Sequence, residues 1–466
     1  MVKNQKLENA PLQGKRVLIL GLARSGQAAA QLVAAAGGIP VLYDRKREDT
    51  LEDVSFLQKI PSAEKHFGEP LEPLLKTCDF GVFGPGVGPS SPDMLVARGK
   101  LPLFGEMEFA FNYVPCPMLA VTGTNGKTTT VSLLKDMLNK AGYVTYAAGN
   151  IGYPLSAAAL CADKDARIVA EVSSFQLEST LLFKPHIAAV LNITPDHLDR
   201  HGSMERYIEL KKHIFCQMMN DDIAVLNPDD PIVATFAHDL KTRIAWFSSD
   251  HETEQGAFVQ NGNIMIRWQG AEKTICPVDE VLLPGKHNLQ NALAASMMAF
   301  ASGIPSAVIR HSLRTFKGVE HRIEFVKEVD GVRYINDSKG TNPDSTVQAV
   351  RAMKRPTVLI LGGYDKKVSF RELAKVLKAQ PLIRTVVTMG QTGPIIAQTL
   401  EEIGFEQVVH TTTLEEAVAA AKNHVTSGGT VLFSPACASF DQFKDYEQRG
   451  RIFKEIVRSM ISKTDG

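Results

Sequence analysis

The chain has 466 residues, which is too long for one hydrophobic core and predicts two or three domains of ordinary size. Its 51 basic residues balance its 51 acidic ones, so composition favours a small-molecule partner over nucleic acid or a membrane surface. No apolar run approaches the roughly 20 residues that cross a bilayer, and we expect a cytoplasmic protein. The six cysteines form no C-x-x-C pairs, which argues against a disulfide framework and a zinc ribbon.

Short apolar runs alternate with helical patterns along most of the chain, which predicts an α/β fold on mostly parallel sheets. The first strand, Arg16–Leu20, leads into a glycine-containing turn, a helix and a second strand that ends at Asp44. This order is typical of a nucleotide-binding βαβ unit. Ala23 stands where a dinucleotide fingerprint needs glycine, so we expect the helix N-terminus to receive a diphosphate rather than NAD. A second glycine-rich turn, 84–88, follows a strand at 80–83 and is expected to line the same crevice.

The sequence from Thr122 to Thr129 reads T-G-T-N-G-K-T-T, and it lies between an apolar run at 118–121 and an amphipathic segment that Gly142 ends. A glycine-rich turn between a strand and a helix directs backbone N–H groups at a bound phosphate. Lys127 would add a positive charge and Thr128 a hydroxyl for Mg²⁺. Val121 replaces the first glycine of the standard P-loop, so the motif is a shorter variant. The alternative is an ordinary glycine-lysine turn.

Further strands are predicted in two blocks of the chain. The second block has strands at 167–172, 186–193, 222–226 and 243–247, followed by a hairpin around 261–263. The third block begins near Gly318, with strands at 332–335, 358–361, 385–389 and 431–433 and helices that include 370–379 and 414–425. The pattern therefore predicts three domains, at residues 1–110, 111–317 and 318–466.

Polar groups follow two predicted strands of the second block. The segment E-V-S-S-F-Q begins at Glu171, and N-I-T-P-D-H-L-D begins at Asn192 and contains His197. Open α/β sheets bind their ligands at the carboxyl ends of strands, so these groups could converge on a divalent ion beside the phosphate loop. The alternative for each residue considered alone is structural, with Glu171 as a solvated or capping carboxylate and His197 as an ordinary loop histidine.

Together with 283–292, which reads L-P-G-K-H-N-L-Q-N-A, these motifs resemble the Mur ligase family, whose members form amide bonds with ATP in bacterial peptidoglycan synthesis. The resemblance extends from residue 21 to residue 451. The stretches 336–342 and 434–444 are similar to members that add D-glutamate to UDP-N-acetylmuramoyl-L-alanine through an acyl phosphate. The D-N-P-R motif of members that add a diamino acid is absent, and folylpolyglutamate synthetases lack the N-terminal UDP-binding unit.

The resemblance implies a Rossmann-like UDP-binding domain, a central P-loop-type ATPase domain and a C-terminal Rossmann-like domain that binds the amino acid. It implies ATP and two Mg²⁺ ions as cofactors. The catalytic residues would be Lys127, His197, Lys211 and Lys339, and Thr128, Glu171, His197 and Lys211 would bind the metal ions. ATP would contact Gly123, Thr124, Asn125, Gly126, Lys127, Thr128, Thr129, Asn288, Asn291, Arg322 and Asp337. Lys211 resembles the lysine that the family carries as a carbamate. Neighbouring Lys212 could be the matching residue instead, and an ordinary solvated lysine on a helix is the alternative.

The resemblance assigns one set of residues to each of the two substrates other than ATP. D-glutamate would contact Thr341, Lys366, Ser439 and Tyr446, where Tyr446 replaces a common phenylalanine. The UDP substrate would contact Arg24, Ser25, Asp44, Arg45, Gly86 and Asn150, of which Arg24 and Arg45 are not typical. The partners would be these small molecules alone, with no nucleic acid, no membrane and a monomeric enzyme. ATP contacts from two domains imply closure about a hinge near Gly318.

Three other functions fit parts of the pattern. A nucleotide-sensing protein could use the same loops without chemistry, although Glu171, His197 and Lys339 would then have no role. A ligase of another Mur or folylpolyglutamate type is a second alternative, and an NAD-dependent dehydrogenase is a third that Ala23 argues against.

Overall fold

The computed structural model describes residues 12–50, 55–88, 90–366 and 368–460, so the outer ends of the first and third predicted domains lie outside the described residues. The fold divides into two compact units. Unit 1 comprises the described residues of Met1–Ile193, Glu205–Leu282 and Gln290–Phe316, and unit 2 those of Thr194–Met204, Leu283–Leu289 and Lys317–Gly466. In the described part of the chain, no helix is both long and apolar enough to span a membrane.

The first sheet is entirely parallel and belongs to unit 1. Its described strands are β1 (Arg16–Leu20), β2 (Ile39–Asp44), β3 (Glu64–Phe67), β4 (Phe80–Phe83) and β5 (Leu103–Gly105). The helices of this part of the chain are α1 (Arg24–Ala35), α2 (Pro92–Ala97) and α3 (Glu106–Phe111). The strand order β3-β2-β1-β4-β5 reverses direction between β1 and β4. Open parallel sheets bind ligands in the crevice at such a switch point.

The second sheet is parallel except at one edge. Its described strands are β6 (Met118–Thr122), β7 (Thr145–Gly149), β8 (Arg167–Glu171), β9 (Ile187–Val190), β10 (Ile223–Leu226), β11 (Arg243–Ser248), β12 (Gly256–Gln260), β13 (Asn263–Trp268) and β14 (Ala271–Pro277). Along this stretch the helices are α4 (Lys127–Lys140), α5 (Leu155–Cys161), α6 (Ser174–Leu177), α7 (Leu198–His201), α8 (Met204–Lys212), α9 (Pro231–Thr235), α10 (Lys286–Ala301) and α11 (Ser306–Thr315). The strand order is β14-β13-β12-β11-β10-β9-β6-β8-β7. Every residue of β6 is buried because β6 pairs with β8 and β9 on its two sides, which explains its continuous apolar run.

The third sheet lies in unit 2 and is parallel apart from one hairpin. Its described strands are β15 (Glu324–Val329), β16 (Val332–Asn336), β17 (Thr357–Gly362), β18 (Ile383–Met389), β19 (Val408–His410) and β20 (Thr430–Phe433), in the order β15-β16-β20-β17-β18-β19. The helices are α12 (Pro343–Arg351), α13 (Arg371–Ala379), α14 (Gly393–Glu402), α15 (Leu414–His424) and α16 (Tyr446–Ser459). Helix α12 starts cleanly because the Asn342 side chain accepts a hydrogen bond from the Ser345 N–H and proline occupies the first turn.

The predicted α/β class with mostly parallel sheets is confirmed, and the predicted strands are present with small shifts at their ends. The largest difference is the strand predicted at 186–193, of which only Ile187–Val190 is β9. Residues that follow it bond to loops instead, since the Asn192 carbonyl accepts the Thr124 N–H and Ile193 donates to Asp230. The predicted hairpin is confirmed, with positive φ at Asn261 and Gly262 between the paired Gln260 and Asn263. Each predicted domain range contains one sheet, and the boundaries themselves stay a prediction.

Candidate active site

The loop between β6 and α4 has a backbone that only glycine can adopt at two positions. Gly126 has a φ of +86°, and a Cβ there would lie 2.2 Å from Asn291 Oδ1. Gly123 has a φ of +146°, and a Cβ there would lie 3.3 Å from the backbone N and O atoms of Asn192. The Asn125 N–H donates to Asn192 Oδ1 at 2.8 Å, which fixes the middle of the loop. The loop is therefore held rigidly over the start of α4, where free N–H groups and the helix dipole favour an anion.

Two lysine ammonium groups meet at one carbonyl of this loop. Lys127 Nζ donates to the carbonyls of Gly123 and Thr124 at 2.8 and 2.7 Å. Lys211 Nζ, in a residue only 2 % exposed, donates to the same Gly123 carbonyl at 2.9 Å. By contrast, the Lys212 ammonium pairs with Asp239. The structure thus brings Lys211, and not Lys212, to the phosphate loop.

Glu171 is the acidic group of this region, and both of its carboxylate oxygens are held. The residue is 1 % exposed, and β8 ends with Glu171 paired beside Val121 of β6. Thr128 Oγ1 donates to Oε2 at 2.7 Å, and Asn150 Nδ2 donates to Oε1 at 2.8 Å. A carboxylate and a hydroxyl side by side form an oxygen donor set that suits Mg²⁺.

One buried polar atom beside these groups, Thr129 Oγ1 in the first turn of α4, has no hydrogen-bond partner within the described ranges, and its residue is 2 % exposed. In unit 2, Arg322 Nε likewise has no partner among the described residues. Buried donors without partners are rare in folded proteins and call for an explanation such as a bound ligand. The residues of the phosphate loop therefore fit a nucleotide phosphate with its metal ion.

A cavity of about 510 Å³ opens at the switch point between β1 and β4 of the first sheet. It is lined by Gly21, Leu22, Ala23, Arg24, Ser25, Gly26, Asp44, Lys46, Gly84, Pro85, Gly86 and Val87. Helix α1 begins there without a side-chain cap and without an acidic residue in its first turn, so its N–H groups are available to an anion. Arg24 and Lys46 add positive charge to the same cavity.

Four of the six residues predicted for the UDP substrate line this cavity, namely Arg24, Ser25, Asp44 and Gly86. Arg45 instead pairs with Asp93 at 2.6 Å, and Asn150 is absent from the lining. Sequence reasoning missed Lys46, although a cation two residues beyond a strand-end aspartate was a signal that could have found it.

In unit 2, the predicted ATP and amino-acid residues gather where the parallel strands of the third sheet end. Asp337 follows β16, Lys366 follows β17, and Ser439 follows β20 by six residues. Asp337 is 1 % exposed and accepts hydrogen bonds from Ser434 Oγ at 2.7 Å and from the Ile323 N–H at 3.2 Å. Burial raises its pKa to about 6, and the nearby Arg322 guanidinium opposes that rise only in part.

Lys339 has a direct partner in Tyr446. Its Nζ donates to Tyr446 Oη at 3.0 Å and lies 4.8 Å from the centre of that ring. The tyrosine therefore fixes the ammonium by a hydrogen bond as well as by the ring face.

Arg449 is a fully buried residue that the sequence did not single out. Its guanidinium donates to the carbonyls of Ser338, Cys437 and Ala438 and to Ser338 Oγ, at 2.8 to 3.1 Å. Desolvation lowers its pKa to about 10. Because these acceptors flank Lys339 and Ser439, the guanidinium joins the loops that carry two predicted site residues.

The segment that contains His197 belongs to unit 2, and His197 has a φ of +54°, which is unusual for a residue other than glycine. Asp196, 7 % exposed, lies between His197 Nε2 at 3.6 Å and Lys366 Nζ at 3.8 Å. It also accepts a hydrogen bond from Asn342 Nδ2 at 3.3 Å. Asp196, which the sequence reasoning did not assign a role, thus connects a predicted metal ligand with a predicted amino-acid ligand.

Two of the residues that the resemblance assigns to ATP, Asn288 and Asn291, both lie on α10. Asn288 Nδ2 donates to the Pro284 carbonyl at 2.7 Å, and Asn291 Oδ1 accepts a hydrogen bond from Thr130 Oγ1 at 3.4 Å. Neighbouring His287 is buried near Arg322, and the loss of solvation together with that charge lowers its pKa to about 4. The imidazole is therefore neutral at physiological pH.

Comparison with known proteins identifies the family. Residues 121–299 match the Mur ligase middle domain, and residues 321–437 match the Mur ligase glutamate ligase domain. A protein of Thermoanaerobacter sp. named UDP-N-acetylmuramoylalanine–D-glutamate ligase is 44 % identical over 452 residues, which cover 96 % of this chain and 99 % of the relative. The chain belongs to the Mur ligase family. A Pelotomaculum thermopropionicum protein of the same name is 44 % identical over 451 residues, which cover 96 % of this chain and 98 % of the relative.

A solved Mur ligase shares the fold at low sequence identity. The MurF ligase of Thermotoga maritima in complex with ADP aligns with a TM-score of 0.59 at 15 % identity, covering 97 % of this chain and 96 % of that one. This likeness shows the fold alone. The fold and the family predicted from the sequence are confirmed, while the roles of individual site residues remain predictions.

Proposed function

We propose that this Mur ligase joins D-glutamate to UDP-N-acetylmuramoyl-L-alanine and converts ATP to ADP and phosphate. The proposal is supported by the names of relatives that match nearly the whole chain at 44 % identity. The observation that carries it is the phosphate loop, whose Lys127 ammonium donates to the Gly123 and Thr124 carbonyls and whose next residue, Thr128, donates to Glu171 Oε2 at 2.7 Å.

In the first step, a carboxylate oxygen of the UDP substrate attacks the γ-phosphorus of ATP. The bond between that phosphorus and the β,γ-bridging oxygen breaks, ADP leaves, and an acyl phosphate forms. Both reactants are anions, so the barrier falls only if positive charge and N–H donors surround the phosphates. Lys127 and the N-terminus of α4 supply them in unit 1, and Arg322 is the candidate in unit 2.

Thr128 and Glu171 would hold a Mg²⁺ ion, with His197 proposed for a second. When bound, Mg²⁺ neutralises negative charge on the phosphate oxygens. The chain's own contribution is to present a buried carboxylate that is already fixed by two hydrogen bonds.

In the second step, the D-glutamate amine attacks the acyl carbon, the bond to the phosphate oxygen breaks, and phosphate leaves as the nitrogen loses a proton. A tetrahedral oxyanion precedes bond cleavage, and the ammonium of Lys339 is the candidate to stabilise it. Thr341, Lys366, Ser439 and Tyr446 are proposed to hold the amino acid, since lysine suits a carboxylate and hydroxyl groups suit the rest.

Lys211 is proposed to be carbamylated in the active enzyme. Its amine is buried 2.9 Å from the Gly123 carbonyl, in the same loop as the phosphate-binding groups. A carbamate would replace the cation there with an anion that has oxygen donors for a metal ion.

The proposed function is tested by supplying the purified protein with ATP, Mg²⁺, UDP-N-acetylmuramoyl-L-alanine and one amino acid at a time. We expect a product heavier by one glutamate residue with the D-isomer only, together with stoichiometric ADP. ADP release without any amide product, or a product with another amino acid alone, would overturn the proposal. Lys127→Ala serves as the control for contaminating ligases.

A further inference from the structure

The first turn beyond β7 places an amide directly on the predicted metal carboxylate. Strands β7 and β8 are parallel neighbours, and Gly149 pairs with Glu171 at the end of both strands. Asn150 follows Gly149 and makes two contacts with Glu171. Its N–H donates to the Glu171 carbonyl at 2.9 Å, and its side-chain amide donates to Oε1 at 2.8 Å.

Gly149 is what allows this close approach. A Cβ at that position would lie 2.3 Å from the Glu171 carbonyl oxygen, and its φ of +94° is strained for any other residue. The backbone therefore turns tightly beside the end of β8, and the register of β7 against β8 places the Asn150 side chain at the Glu171 carboxylate.

The hydrogen bonds from Thr128 and Asn150 fall on different carboxylate oxygens of Glu171. Oε2 accepts from Thr128 Oγ1, which the phosphate loop positions, and Oε1 accepts from Asn150 Nδ2. Glu171 is 1 % exposed whereas Asn150 is exposed, so the amide comes from the solvent side toward a buried anion. Hydrogen bonds of this kind fix the orientation of a metal-binding carboxylate, and their loss typically lowers metal affinity 10- to 100-fold.

We propose that Asn150 is a positioning residue that orients the Glu171 carboxylate for the metal ion of the ATP site. The sequence resemblance also assigns Asn150 to the UDP substrate, and that assignment stays a prediction beside the positioning role. The proposed role rests on the metal assignment within the proposed function and names a determinant of metal affinity.

The test measures metal binding directly and does not depend on turnover. Mn²⁺ is titrated into protein that is saturated with a non-hydrolysable ATP analogue, and free Mn²⁺ is read by electron paramagnetic resonance. For Asn150→Ala we expect the Mn²⁺ dissociation constant to rise 10- to 100-fold. The affinity for UDP-N-acetylmuramoyl-L-alanine without nucleotide, measured by calorimetry, shows separately whether Asn150 also contacts that substrate.

Two further variants serve as controls for this experiment. Asn139→Ala removes an exposed amide from the far end of α4 and should leave both affinities unchanged. Asn150→Leu keeps a side chain that branches at Cγ but removes the donor, and it should weaken Mn²⁺ binding as Asn150→Ala does, so that partial unfolding of one variant does not decide the result.

Unchanged Mn²⁺ affinity in both Asn150 variants, or a loss confined to the UDP substrate, would overturn the positioning role. Wild-type protein that binds no Mn²⁺ with the analogue would overturn it together with the metal assignment. If the wild type binds Mn²⁺ and the variants bind it weakly, but no D-glutamate product forms, the positioning role stands and the proposed function fails.

Discussion

Asp337 should limit the stability of unit 2 above neutral pH, and Asp337→Asn should relieve that limit at the expense of activity. The carboxyl is 1 % exposed and its pKa is raised to about 6 by burial. The folded state therefore binds a proton at this position more tightly than the unfolded state does. The stabilising effect of that proton is complete below the unfolded pKa and is lost as the pH rises through about 6.

The magnitude follows from the difference between the ordinary pKa of 3.8 and the folded value of about 6. With those values, the raised pKa costs unit 2 about 2 kcal/mol at pH 5 and about 3 kcal/mol at pH 8, relative to a carboxyl whose pKa does not change. Asparagine keeps the size of the side chain and carries no charge. Rearranging the hydrogen bond from Ser434 Oγ offsets about 1 kcal/mol, so we expect a net gain of about 2 kcal/mol at pH 8.

The two units can be followed separately in one denaturation series. Both tryptophans, Trp246 and Trp268, belong to unit 1, so their fluorescence reports on that unit. Hydrogen exchange of peptides from β16 and β20 reports on unit 2. The free energy of opening from these peptides should rise at pH 8 and rise less at pH 5, while the fluorescence transition should not move.

Activity should fall in the same variant, because Asp337 is one of the residues that we expect to contact ATP. A loss of stability at pH 8, or an equal gain at pH 5 and pH 8, would refute the reasoning that the buried charge is the cause.

Lys127→Ala should lower the rate of phosphate formation roughly 100- to 1,000-fold, because it removes a preorganised positive charge. The affinity for the UDP substrate, measured by calorimetry, should stay the same. Near-normal turnover would disprove the assignment of the loop. Tyr446→Phe keeps the ring beside Lys339 but removes the 3.0 Å hydrogen bond. Steady-state kinetics should therefore show kcat reduced by about tenfold or less, with the KM for ATP unchanged. A selective rise in the KM for ATP would contradict this role of Tyr446. Arg449→Met should lower the free energy of opening of β20 by about 3 kcal/mol, because three buried carbonyls lose their donor. Hydrogen exchange of β20 peptides measures this free energy, and unchanged exchange would exclude the structural role of Arg449.

The sequence predicted the sheets well because buried parallel strands are nearly continuous apolar runs. The five residues of β6 are all buried, and its bounds are predicted to within one residue. The phosphate loop and the strand-end group Glu171 were also visible, since glycine, lysine and a carboxylate at such positions are local features of the chain, whereas Asp337 was assigned only through the family resemblance.

Tertiary structure alone decided which of these groups touch. The contact between Asn150 and Glu171 depends on the register of β7 against β8, and the four hydrogen bonds of Arg449 join loops that lie 11 or 12 residues and 111 residues away in the chain. The pKa of Asp337 is raised by burial, a property of the folded unit that no local motif records. Spacing along the chain specifies strands, helices and turns, whereas contacts between distant segments and the loss of solvent around a charge arise only when the elements pack.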